Sequence, residues 1–178
     1  MVLAVDIGNS NIVIGIWKED QYQATWRLPT KSGKEAEDHY RELLLGFLNQ
    51  GGYHSKMVRG IIIGSVVPDL TDDFENLMKD MFDATIFRFN LIAFEKLGIQ
   101  TVAPNEIGAD LVANAYAAFD KYRQHTVVAD FGTALTFTTI DNYGAILGVA
   151  IAPGLKTAMG ALFNKTAQLP EVILEYPD

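Results

Sequence analysis

Two short segments of the chain place a carboxylate, a glycine and a small polar residue in the same order. Val5-Asp6-Ile7-Gly8-Asn9-Ser10 is matched, 124 residues later, by Ala129-Asp130-Phe131-Gly132-Thr133-Ala134. Each aspartate closes an apolar, β-branched run, and each glycine permits a tight turn into another such run. A carboxylate at a strand end, beside the N–H groups of a turn, suits phosphate and metal chemistry. The N–H groups and the Ser10 or Thr133 hydroxyl can cradle phosphate oxygens. Asp6 and Asp130 cannot touch phosphate directly, because both groups are anionic. They can hold Mg²⁺, largely through water, and the ion bridges the phosphates. A single Asp-x-Gly reads more readily as a plain hairpin turn, where Asp and Gly are favoured anyway. Two copies in the same strand context favour the binding reading, with the loops converging from two domains on a triphosphate. Neither GxxxxGK[ST] nor GxGxxG occurs in the sequence, so no other nucleotide motif competes.

Between the loops lies Pro104-Asn105-Glu106-Ile107-Gly108-Ala109-Asp110. Gly108 and Ala109 allow close backbone approach at a helix start, and Asp110 becomes a carboxylate at the edge of a cleft. It could serve as general base, taking the proton of a hydroxyl whose oxygen attacks the γ-phosphate. A helix cap or a first-turn acid favoured by the helix dipole is an equally good reading of the spacing. Ile151-Ala152-Pro153-Gly154-Leu155 could present helix N-terminal amides to an anion, or be a simple strand-to-helix turn. Arg27 could reach an anion, though a surface salt bridge is the better reading.

These residues need a frame. Val2 to Ile7, Asn11 to Trp17 and Tyr22 to Leu28 read as three strands of an antiparallel meander, followed by a loop over 29–34. Ala36 to Asn49 carries Tyr40, Leu43, Leu44, Phe47 and Leu48 at helical spacing and stops at Gly51-Gly52. Val58 to Gly64 is a nearly unbroken apolar run, expected to be a strand buried on both faces. Pro68 to Met81 reads as a helix, Thr85 to Phe89 as a strand and Glu106 to Tyr122 as a second long helix. The order then restarts: strands at Thr126 to Asp130, Leu135 to Ile140 and Ala145 to Ala152, then a helix from Pro153-Gly154 to about Lys165. The repeat divides the chain into a first domain over 1–124, whose last helix carries the chain across, and the first strands and helix of its duplicate over 125–178.

With 178 residues, the chain exceeds the roughly 150 residues of a typical domain. Hydrophobic residues make up 49%, enough for a core and too many for a disordered chain. A net charge of -8 argues against nucleic acid as a partner. The absence of cysteine excludes disulfides, a thiolate nucleophile and Cys-based metal sites. His39, His54 and His125 show no metal-ligand spacing and read as surface residues. Asp6 interrupts the first apolar run and no basic segment precedes it, so no signal peptide is expected. No apolar run approaches the roughly 18–20 residues of a spanning helix, and the expected setting is the cytoplasm without membrane attachment. The sequon Asn164-Lys165-Thr166 carries no meaning in that setting.

Taken together, AVDIGNSNIVIGIW, GSVVP at 64–68, PNEIGADLVANAYAAF, VVADFGTALTFTTID and GVAIAPGL resemble type III pantothenate kinase, of the acetate kinase/sugar kinase/Hsp70/actin superfamily. The resemblance runs over the whole chain in family order. It implies an α/β fold of duplicated ribonuclease H-like (actin-like ATPase) domains, with mixed sheets flanked by helices and the second domain incomplete. It implies a homodimer that uses ATP to phosphorylate pantothenate, or a related small hydroxyl acceptor, in coenzyme A biosynthesis. It also implies Mg²⁺ and a monovalent cation, K⁺ or NH₄⁺. Asp6, Gly8, Asn9, Ser10 and Asn11 fall on the first phosphate loop, and Gly132, Thr133 and Thr136 on the second. Asp6 and Asp130 fall on the metal-site aspartates, Asp110 on the catalytic base, and Gly108 and Ala109 beside it at the substrate. The sequence departs from the family pattern at Leu111, where an arginine is usual, and at Leu135 and Leu147, and GIQTVA before Pro104 lacks a tyrosine. Those departures raise an alternative: a catalytically weak relative acting as a nucleotide-binding or regulatory accessory factor.

Overall fold

The computed structural model describes residues 1–165 except 20 and 32. One residue of the expected 29–34 loop, the end of the sequon and the last thirteen residues of the expected second domain lie outside the described residues. The chain divides into two compact units, Met1–Ala113 and Asn114–Asp178. No helix among the described residues is long and apolar enough to cross a membrane.

The first unit is built on a five-stranded sheet. Its strands are β1 (Val2–Ile7), β2 (Asn11–Lys18), β3 (Gln21–Pro29), β4 (Gly60–Ser65) and β5 (Thr85–Arg88), in the order β3-β2-β1-β4-β5. The central strand β1 runs antiparallel to β2 and parallel to β4. Alternation of side chains along a strand sends Leu3, Val5 and Ile7 to one face, where Ile12, Ile14, Ile16, Ile61 and Ile63 join them in the core. Two helices cover that face, α1 (Lys34–Gln50) with Tyr40, Leu44 and Leu48, and α2 (Pro68–Met81) with Leu70, Phe74, Leu77 and Met78. The Tyr40 and Phe74 rings meet edge-to-face with centroids 5.6 Å apart. The Tyr40 hydroxyl donates to the Pro29 carbonyl at 3.1 Å and accepts from the Lys31 amide at 2.6 Å, which fixes the exit from β3.

β4 departs from the double burial expected of its apolar run. Ile61 and Ile63 are buried, whereas Ile62, on the other face, is 37% exposed. An all-apolar strand therefore serves a sheet with one strongly buried face, and the run alone could not distinguish the two cases. A short helix, α3 (Leu91–Lys96), follows β5, with the Asn90 side chain accepting from the Ala93 amide. Its six residues are too short for a periodic signal. The next helix, α4 (Ala109–Tyr122), begins three residues later than its alanine-rich pattern suggests. Glu106 and Ile107 both turn back to the Ala103 carbonyl, and the first bond into the helix runs from the Val112 amide to Gly108.

The second unit repeats the first three strands as β6 (Thr126–Phe131), β7 (Ala134–Ile140) and β8 (Ile146–Pro153), followed by α5 (Leu155–Lys165). All are antiparallel, in the order β6-β7-β8. The two hairpins differ by one residue. Gly8 bonds back to Asn11, with Asn9 and Ser10 at the tip, while Gly132 bonds back to Ala134, with Thr133 alone at the tip. The constant spacing of 124 therefore breaks inside the loop and returns at the third strand, where Pro29 and Pro153 end β3 and β8. The β7–β8 turn is held by Asp141, whose carboxylate accepts from the Tyr143 and Ala145 amides. The bond from Ala145 is the main reason that its carboxyl sits below the usual carboxylate range.

The residue after each proline ties back to its loop. The Thr30 amide donates to the Ser10 carbonyl at 3.0 Å, and the Gly154 amide donates to the Thr133 carbonyl at 3.0 Å. A threonine hydroxyl adds a second tie in each unit: Thr30 Oγ1 to the Gly8 carbonyl at 2.6 Å, and Thr157 Oγ1 to the Thr133 carbonyl at 2.8 Å. Gly154 approaches its loop so closely that a Cβ there would fall 2.2 Å from the Gly132 carbonyl oxygen and 2.6 Å from that of Thr133.

Two outcomes follow from this packing. Ile63→Ala should cost about 2–5 kcal/mol in urea unfolding, and Ile62→Ala well under half of that, because only the first leaves a cavity. Gly154→Ala should lower the melting temperature by several degrees. Gly160→Ala, inside α5 with nothing near the new methyl, should leave it unchanged or raise it.

Candidate active site

Asp6 is the penultimate residue of β1 and is exposed. Its cross-strand neighbours are Val13 on β2 and Gly64 on β4. Gly64 is the critical neighbour, because its missing side chain opens the face on which Asp6 stands. A Cβ built on Gly64 would lie 3.7 Å from the Ala109 Cβ, so the first residue of α4 packs over that bare backbone. The next residue is Asp110. The first-loop aspartate and the expected base are thus brought to the same end of one sheet by a glycine–alanine contact.

Asp110 stands half-buried in the first turn of α4, and its Oδ1 accepts the Leu111 amide at 2.9 Å. It therefore takes the dipole-favoured position of a first-turn acid. Gly108 makes room for it. A Cβ there would fall 2.3 Å from Asp110 Oδ1 and 3.2 Å from Val66 Cγ1. Leu111, where the resemblance expects arginine, is buried.

In the second unit, Asp130 is the penultimate residue of β6 and is half-buried. Thr136 is directly opposite it in the β6–β7 ladder. The Thr136 hydroxyl is buried with no hydrogen-bond partner. The Asn114 side chain, on α4, donates from Nδ2 to Asp130 Oδ2 at 3.0 Å. Thr133 forms the tip beside Gly132 and is tied back through its carbonyl as described above. Gly8, Asn9, Ser10 and Asn11 form the corresponding first loop. A cavity of about 240 Å³ between α1 and α2 is lined by none of these residues.

Both loops suit a cation that arrives with its phosphates. Among the described residues no three His, Cys, Asp or Glu gather into a metal-ligating cluster. Mg²⁺ bound to a nucleotide needs only one or two carboxylates, with phosphate and water completing its shell. Asp6 and Asp130 each stand at a strand end beside a small-residue turn, a setting that suits one such carboxylate. The orphaned hydroxyl of Thr136 beside Asp130 is a buried oxygen that a cation, its water or a phosphate would satisfy.

Thr30 and Thr157 carry no motif of their own, and the motifs that contain Gly64 and Asn114 do not reveal what those two residues touch. The prolines that end β3 and β8 share the 124-residue spacing of the aspartates and signal the ties that follow them. The Gly64 contact has no such signal, since a glycine in an apolar run marks only that something comes close.

A family profile for type III pantothenate kinase matches residues 2–178. A type III pantothenate kinase of Citrifermentans bemidjiense is 39% identical over 177 residues, 99% of this chain and 69% of that protein. One of Dehalococcoides mccartyi is 38% identical over 176 residues, 99% of this chain and 66% of that protein. The chain thus spans about two-thirds of their length. Among solved structures, the ethanolamine utilization protein EutJ from Carboxydothermus hydrogenoformans matches with a TM-score of 0.53 at 15% identity, over 95% of this chain and 57% of that one. A putative 2-dehydro-3-deoxygalactonokinase from Sinorhizobium meliloti matches with a TM-score of 0.50 at 14% identity, over 94% of this chain and 57% of that one. At such identity these two likenesses speak to fold alone, and the fold is the α/β, duplicated ribonuclease H-like class with sheets flanked by helices. With the family profile running from residue 2 to residue 178 and close to two residues in five shared with its relatives, the chain belongs to the type III pantothenate kinase family.

Proposed function

We propose that this chain performs ATP-dependent phosphorylation of pantothenate, or of a related small hydroxyl compound, in coenzyme A biosynthesis. The relatives' activity supports the reaction class. The observation that carries the roles is the Gly64–Ala109 contact, which sets Asp110 at the end of the sheet that bears Asp6. Asp110 accepts the proton of the acceptor hydroxyl as that oxygen forms its bond to the γ-phosphorus. The bond from phosphorus to the β,γ-bridging oxygen breaks, and ADP leaves. Gly8, Asn9, Ser10 and Asn11 contact ATP phosphates from one loop, and Gly132, Thr133 and Thr136 from the other, through amides and hydroxyls. Asp6 and Asp130 would hold Mg²⁺, which would supply positive charge against the charge that builds up on the phosphates. Gly108 and Ala109 line the acceptor site through their backbone. A monovalent cation, K⁺ or NH₄⁺, a homodimer and a cytoplasmic setting complete this reading.

Three measurements in a coupled ADP-release assay with pantothenate test it. Asp110→Asn should lower kcat by about 10²–10⁴-fold with little change in the KM for ATP; full activity in this variant would remove Asp110 as base. Asp6→Asn should raise the Mg²⁺ concentration needed for half-maximal rate by at least about tenfold, because it removes a charged ligand. Removing divalent metal with a chelator should abolish turnover, and excess Mg²⁺ should restore it. A chain that releases no ADP with pantothenate but does so with another hydroxyl compound would reassign the acceptor.

A further inference from the structure

Asn114 lies one helical turn after Asp110 on α4, and its Nδ2 is 3.0 Å from Asp130 Oδ2. A carboxylate has no proton to give, so the amide nitrogen is the end of Asn114 that faces it. Thr136, opposite Asp130 in the ladder, has a buried hydroxyl without a partner. Asp130 is thus a carboxylate with one oxygen taken by a neutral donor and an unsatisfied oxygen beside it. A structural aspartate in a hairpin would gain more from a cationic partner, which would also cancel its charge. An amide fixes the carboxylate's orientation and leaves that charge intact for an ion.

We infer that Asn114 is a positioning residue for the metal–nucleotide site. It holds Asp130 through Oδ2 and so reserves Oδ1 for the cation or its bound water. The inference rests on the proposed role of Asp130 at the metal.

The test compares wild type, Asn114→Ala, Asn114→Asp and Asp130→Asn in the same chain. Binding of Mn²⁺ in the presence of ATP is followed by the electron paramagnetic resonance of free Mn²⁺, and unfolding by heat. Asn114→Ala should weaken Mn²⁺ binding about 10–100-fold, the range for a lost outer-shell partner of a metal ligand. Its melting temperature should stay within a few degrees of wild type, since alanine favours the helix and the pair is exposed to solvent. In turnover, the Mg²⁺ requirement should rise while the KM for pantothenate stays unchanged, a split that a merely structural role would not produce. Asn114→Asp keeps the size of the side chain without its donor, and its Mg²⁺ requirement should also rise. Wild-type Mn²⁺ binding in Asn114→Ala overturns the inference. Wild-type Mn²⁺ binding in Asp130→Asn, or none in the unmodified chain, overturns instead the reading of Asp130 on which it rests.

Discussion

The first unit depends on a helix start that packs against the sheet at a residue without a side chain. At Gly64, the fifth residue of β4, bare backbone meets the first residue of α4. Alanine there would make an ordinary contact with Ala109, while a longer side chain would push the helix start away from the sheet, and with it Asp110. Gly108 repeats the requirement on the helix side, where a methyl group would occupy the space of the Asp110 carboxylate. Two small positions therefore frame one carboxylate, and Gly108 is the stricter of them. β1 supplies the other half of the arrangement. Because β1 is paired on both sides, antiparallel to β2 and parallel to β4, Asp6 is held at a central strand end instead of a fraying edge.

The loops that follow β1 and β6 share a method of construction. Each is closed by the amide of its glycine, and each is then tied from behind by the residues after a strand-ending proline. Those ties occupy carbonyl oxygens, the groups that would repel a phosphate. The chemistry assigned to the loops needs donors and carboxylates directed outward, and engaging the carbonyls elsewhere favours that state. The cost is conformational, since Gly154 tolerates no Cβ against the Gly132 and Thr133 carbonyls.

Much of this was legible in the residues. The aspartate–glycine repeat, the strands on either side and the start and end of α2 follow from apolar runs, glycine punctuation and a first-turn proline. Three features were not legible, each for a physical reason. The apolar run of β4 looked doubly buried because composition does not record which face is covered. α3 was too short for periodicity to register. The start of α4 was hidden because Glu106 and Ile107 are good helix residues that a turn onto Ala103 claims instead. Within the site, the aspartates and the small residues around them were visible as motifs. Asn114, Thr30 and Thr157 were not, since their roles come from contacts with residues far along the chain.

The unequal hairpin tips separate the fates of the two copies. In a two-sided sheet, a shift of one residue in pairing carries every side chain of a strand to the opposite face. A residue inserted after Thr133, with the tip kept at one residue, would set Leu135 against Asp130 where Thr136 now stands. The two hairpins follow one plan, yet they are not interchangeable parts. Either tip can drift in composition, but a residue added without widening the turn would turn the second strand inside out.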